Sequence, residues 1–112
     1  MNETQTTPAQ AVEEEEYDYP GVYGGARLRY LQEYDRELYQ SLVSGGRLEA
    51  EIRYVEKAAR QRLADWIPHM AKKDGLDEAL KMQDPMKWVG GMNAIKHCVE
   101  ETIYHDLVYQ ED

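Results

Sequence analysis

The chain has 112 residues, of which 42% are hydrophobic and 31% charged, with a formal net charge of -9; these totals fit one small globular domain and exclude a wholly disordered chain. No apolar run approaches the roughly 18 residues that a membrane span needs, and a single cysteine, Cys98, excludes both an internal disulfide and a paired-cysteine metal or redox motif. The first basic side chain is Arg27, so the start carries no mark of a secretory or transit segment; a cytoplasmic protein without membrane association is expected.

The acidity is unevenly spread. Residues 1–22 hold six acids (Glu3, Glu13, Glu14, Glu15, Glu16 and Asp18) and no base, while 23–112 hold the other 16 acids against all 13 bases. With a block of four Glu and no periodic apolar residues, 1–22 reads as a flexible, disordered acidic tail, and 23–112 as a single helical domain. Pro20, Gly21, Gly24 and Gly25 punctuate the chain ahead of the first helix.

The first helix is predicted over 26–43, with Leu28, Leu31, Leu38 and Leu42 on one face, Tyr34 beside them, and Ser44, Gly45 and Gly46 as its stop. The second, over 47–73, has the cleanest pattern: Leu48, Ile52, Val55, Ala59, Leu63, Trp66 and Met70 lie within about 60° of one another on a helical wheel. Pro68 falls inside it and removes one backbone donor, which predicts a kink after Trp66. A short third helix fits 77–82 with Asp77 as N-cap. The fourth starts at Asp84 and Pro85, an N-cap followed by proline at the first helical position, and Trp88, Met92, Ile95, Val99 and Ile103 stay in phase to about Tyr109.

Because that phase persists across Gly90 and Gly91, the helix is expected to run through them, at a cost of roughly 1 kcal/mol each against alanine. Gly91 borders the apolar stripe, where a missing side chain permits close approach of another helix; Gly90 points away from it. The expected architecture is an all-α small helical bundle, three longer helices plus one short one, with Trp66 and Trp88 as its largest core fillers.

Few residues suggest chemistry. His97, Glu101 and His105 recur every four residues on one side of the last helix, but the outer two are about 12 Å apart along the axis, so all three cannot ligate one ion without distortion. They read as a solvated polar face, His69 as a boundary residue, and Cys98 as a semi-buried structural thiol. There is no nucleophile elbow, no P-loop and no glycine-rich dinucleotide fingerprint. The expectation is a protein that is not an enzyme, with no catalytic residues, cofactor or metal.

Two charged sets are candidates for binding. Arg53, Lys57 and Arg60 form a row on the second helix, and Arg27 and Arg29 begin the first; together they could contact phosphates or an acidic partner. Glu49 and Glu56 interleave with that row, the pattern of an ordinary salt-bridged surface. Of opposite sign are Glu13, Glu14, Glu15, Glu16 and Asp18 in the tail and Glu100 and Glu101 near the other end. Carboxylates among aromatic residues could occupy a basic groove on a nucleic-acid-handling protein.

Three blocks in order, "YGGARLRYLQEYDRELYQSLVSGGRL", "EKAARQRLADWIPHMAKKDGL" and "ALKMQDPMKWVGGMNAIKHCVEETIYHDLVY", resemble the small transposon-encoded TnpV family of bacterial mobile elements over about residues 20–109. The resemblance rests most on "RLRYL", "SGGRL" and "MKWVGGMNAIK", followed by Glu100, Glu101 and "LVY". It implies a cytosolic accessory protein with no catalytic residues to carry over. At Gly90 and Gly91 the chain departs from the family pattern, where basic side chains are common, which weakens a DNA contact by that helix. The expected function is binding of DNA or of a DNA-bound recombinase, with a protein partner. The alternative is an acidic inhibitor of a host nucleic-acid-handling defence enzyme, of anti-CRISPR or anti-restriction type. The oligomeric state is left open.

Overall fold

A computed structural model describes residues 19–110, and every regular element among them is helical. The elements are α1 (Val22–Tyr34), α2 (Arg36–Ser44), α3 (Leu48–Lys73), α4 (Glu78–Gln83), α5 (Pro85–Ile103) and a closing π-helical turn (Tyr104–Val108). The all-α expectation therefore holds, with one more helix than the sequence suggested. The acidic 1–18 segment lies outside the described residues. None of these helices is long and apolar enough to cross a membrane.

Asp35 is the reason for the extra helix. Its backbone leaves the helical region (φ -143, ψ 65) and its N–H donates to the Leu31 carbonyl, closing α1. Its side chain then accepts from the Leu38 N–H at 3.2 Å and opens α2. One residue thus serves as C-cap and N-cap together. At the other end, α1 starts earlier than expected and includes Gly24 and Gly25. A Cβ on Gly24 would sit 2.8 Å from Ile52 Cγ2 and 3.0 Å from the Ile52 carbonyl oxygen. Glycine is needed there for close approach, not for a turn.

The chain divides into two compact units, Met1–Lys57 and Ala58–Asp112, with the boundary inside α3. In the first, Leu31, Leu42 and Ile52 form the buried cluster, and Leu28, Tyr30, Leu38, Tyr39 and Leu48 pack against it. Tyr30 and Tyr39 form a half-buried border to this cluster, whereas Tyr34, which the helical spacing put beside the apolar face, is exposed. Two charged residues join this interior: Arg27 at 2% exposure and Glu56 at 1%. Glu56 was expected on a salt-bridged surface; instead its Oε1 accepts from the Tyr23 and Gly24 N–H groups at 2.8 and 2.9 Å, satisfying the first turn of α1.

In the second unit α5 packs against α4 and the π-helical turn, and its buried stripe is Ile95, Val99 and Ile103, joined by Leu107 and Val108 from the turn. Asp77 and Asp84 cap their helices as predicted, accepting from Leu80 N–H at 2.9 Å and Lys87 N–H at 3.2 Å. α5 runs unbroken through both glycines. A Cβ on Gly91 would meet Leu76 Cδ1 at 2.7 Å, while one on Gly90 would find nothing within 4 Å. The neighbour at Gly91 is thus the residue that ends the α3 turn, where Leu76 N–H closes on the Ala71 carbonyl, rather than another helix.

The tryptophans are not core fillers. Trp66 is 41% exposed and carries the Arg62 guanidinium 4.6 Å above its ring. Trp88 is half-buried beneath the Lys81 ammonium at 4.7 Å. Medium-sized side chains fill the interior instead, Leu31, Ile52 and Ile103 being the largest of the fully buried aliphatics.

Candidate functional site

The residues of the predicted basic set sit in different settings. Arg27 lies on the same face of α1 as Tyr23 and Leu31, one turn from each, and all three are buried. Its Nε donates to Glu51 Oε2 at 3.2 Å and its guanidinium stands 5.6 Å from the Tyr30 ring centre. A phosphate cannot reach it there. Arg53 is exposed, paired with Glu49 at 2.8 Å, and stacked 5.0 Å from the Tyr19 ring. Arg29 and Lys57 are exposed in the first unit; Arg60, in the second, is half-buried.

Of the acidic set, Glu13, Glu14, Glu15, Glu16 and Asp18 lie outside the described residues. Glu100 and Glu101 fall together in an open groove of about 430 Å³, lined also by His97, Tyr104, His105 and Tyr109. The groove forms because α5 buries Ile95, Val99 and Ile103 and leaves its other side to His97 and Glu101, one turn apart.

The far wall depends on a change in backbone hydrogen bonding. After Ile103 the ladder shifts, and Tyr109 N–H donates to the Tyr104 carbonyl, five residues back, at 2.9 Å. An α-helix brings together residues three and four apart; the wider π ring brings together residues five apart. Tyr104 and Tyr109 consequently sit side by side, ring centres 5.7 Å apart and tilted by 39°.

Arg62 pins the π-helical turn. Its Nη1 donates to Asp106 Oδ2 at 2.8 Å and to the carbonyl and hydroxyl oxygens of Thr102, each at 3.2 Å. The other Asp106 oxygen lies 2.8 Å from His105 Nδ1. The hydrogen bond with His105, and after it the one from Arg62, hold the Asp106 carboxyl below its ordinary value of 3.8. Asp106 is thus tied on one side to α3 through Arg62 and on the other to His105, which lines the groove.

Among the described residues no three His, Cys, Asp or Glu are placed to hold a metal ion, so His97, Glu101 and His105 act as separate groups. Cys98, expected to be half-buried, is exposed. His69 is exposed as well. Sequence reasoning did not pick out Arg62, Tyr104 or Tyr109. The signal available was the spacing of Arg62 and Trp66, one helical turn apart; nothing in the apolar phase announces the π-helical turn.

These features define a small all-helical protein that carries exposed basic residues in its first unit and an aromatic and acidic groove in its second. The model of the family described as transposon-encoded protein TnpV matches residues 2–108. The chain belongs to that family, and the match reaches into the acidic N-terminal segment that the resemblance alone left outside. No curated protein and no solved structure matches the chain.

Proposed function

We propose that this chain is a non-enzymatic, cytoplasmic accessory protein of a mobile element that docks onto a protein partner bound to the element's DNA, a recombinase above all. The observation that supports it best is the groove in the second unit. Its carboxylates repel a polyanion, whereas exposed tyrosine and tryptophan are the side chains that protein interfaces favour. Arg27 is committed to Glu51 and Arg53 shares its charge with Glu49, which weakens the predicted basic set as a phosphate-binding face. The link to DNA accordingly runs through the partner.

The test is the mobility of labelled element-end DNA with the chain alone, the recombinase alone and both together. A slower species that needs both proteins is expected. A shift by the chain alone, lost on Arg53→Glu with Lys57→Glu, would transfer the function to direct DNA contact. The net charge of -9 and the carboxylates of the groove favour one second reading, an acidic inhibitor of a nucleic-acid-handling defence enzyme. Inhibition of such an enzyme without any recombinase complex would decide for it.

A further inference from the structure

We propose that the outward face of α5 is a self-association surface, on which a second copy of this chain packs its own α5 antiparallel about a two-fold axis at Ala94. The inference goes beyond the partner reading and does not depend on it.

Ile95, Val99 and Ile103 mark the buried side of α5. Lys87, Gly90, Ala94, Cys98 and Glu101 are all exposed. Lys87, Ala94 and Glu101 recur every seven residues, a spacing that drifts by only about 20° around a helix. Gly90 and Cys98 stand one turn before and one turn after Ala94, about 40° to either side. The five therefore share one face. Its middle is low, since a Cβ on Gly90 would find nothing within 4 Å, so a second helix can approach to the short end of the roughly 8–10 Å usual between packed axes. Met86, one turn before Gly90 and 80% exposed, adds an adaptable apolar side chain at the edge. No packing within the chain requires glycine at position 90; the approach of a second copy does.

Charge identifies the occupant. Lys87 lies at one end of the face and Glu101 at the other, about 21 Å apart along the axis, too far to pair within one copy. Among the described residues neither makes an ion pair. A helix that complements this face must present an acid opposite Lys87, small side chains opposite Gly90 and Ala94, and a base opposite Glu101. That is the same face turned end for end. An antiparallel copy sets Lys87 against the partner's Glu101 at both ends, Gly90 against the partner's Cys98, and Ala94 against its own counterpart, the self-complementary contact of a two-fold dimer. A parallel copy would set like charges opposite each other.

The test is sedimentation equilibrium of the full chain over a range of concentrations, where a reversible equilibrium between monomer and dimer is expected. Gly90→Leu, at a position that meets nothing inside the chain, should leave the helical circular dichroism intact and abolish the dimer. Lys87→Glu and Glu101→Lys should each weaken association about tenfold. An equimolar mixture of those two variants should restore it, because both ends of the mixed pair are again opposite in charge. Orientation is read by mild oxidation. Ala94→Cys combined with Cys98→Ser should give a disulfide-linked dimer, whereas the unaltered chain should not link, since antiparallel pairing holds its two Cys98 thiols roughly 12 Å apart along the axis. A chain that stays monomeric at every concentration would overturn the proposal. So would a dimer indifferent to Gly90→Leu, a mixture that fails to recover, or ready linkage through Cys98.

Discussion

The two units use the same kinds of side chain to opposite ends. In the first, Arg27 and Glu56 are drawn inside and tie helices together: Arg27 joins α1 to α3 through Glu51, and Glu56 reaches from α3 to the first turn of α1. In the second, the buried residues among those described are aliphatic, and the charged and aromatic side chains of the groove are half-buried or exposed. Charge placed inside must be fully matched and then makes the interior specific. Charge kept at the surface needs no such matching, since water solvates it.

The largest effect should come from breaking the inside arrangement. Glu56→Ala strands the Tyr23 and Gly24 N–H groups, at roughly 1–3 kcal/mol for each buried donor left unmatched. Urea unfolding followed by far-ultraviolet circular dichroism measures the loss, since both tryptophans, Trp66 and Trp88, lie in the second unit. Glu56→Gln, which keeps an acceptor oxygen, should lose less.

Within the second unit, neighbouring glycines should answer in opposite directions. Gly91→Ala forces Leu76 aside, a strain of roughly 1–3 kcal/mol that outweighs the gain in helix propensity. Gly90→Ala meets nothing and should raise stability by about 1 kcal/mol. Tryptophan fluorescence in the same denaturant series separates the two.

A smaller effect carries a sign in pH. The Asp106 carboxyl is lowered first by its hydrogen bond with His105 and then by Arg62. A group whose folded pKa is depressed contributes stability in full above its ordinary value of 3.8 and loses it as the pH falls through the lowered folded value. Asp106→Asn should therefore be less stable than the unaltered chain at neutral pH, and the two should converge in strong acid. Smallest of all, Trp66→Ala at 41% exposure should change stability by about 0.5–1 kcal/mol, the worth of an exposed cation–π contact; a core filler would lose several times more.

How much of this could be read from the residues depends on what periodicity encodes. The caps at Asp77, Asp84 and Pro85 were legible because capping is local chemistry. The α3 stripe was legible as a face through Ile52, Val55 and Ala59, but a period says which side of a helix is apolar and not how far along it something covers that side. Trp66 is on the stripe and in solvent for that reason. The break at Asp35 was hidden because Leu31, Leu38 and Leu42 keep one phase across it. Arg27 and Glu56 were misplaced because hydropathy assigns charge to the surface, while their burial depends on the pairings with Glu51 and with the α1 N–H groups. The groove was half legible: His97, Glu100 and Glu101 follow from helical phase, and Tyr109 does not, since its position is set by the π-helical turn.

The closing turn separates what the rings need from what the interior needs. A π ring holds one residue more than an α turn, and Leu107 and Val108 are consecutive yet both buried. Removing one residue from 105–108 would leave Tyr104 and Tyr109 four apart, the spacing at which ordinary helical bonding keeps two side chains neighbours, so the ring pair would persist. The extra residue of the turn thus serves the interior, letting two consecutive side chains be buried, and the loss of a single codon would be felt there and not at the rings.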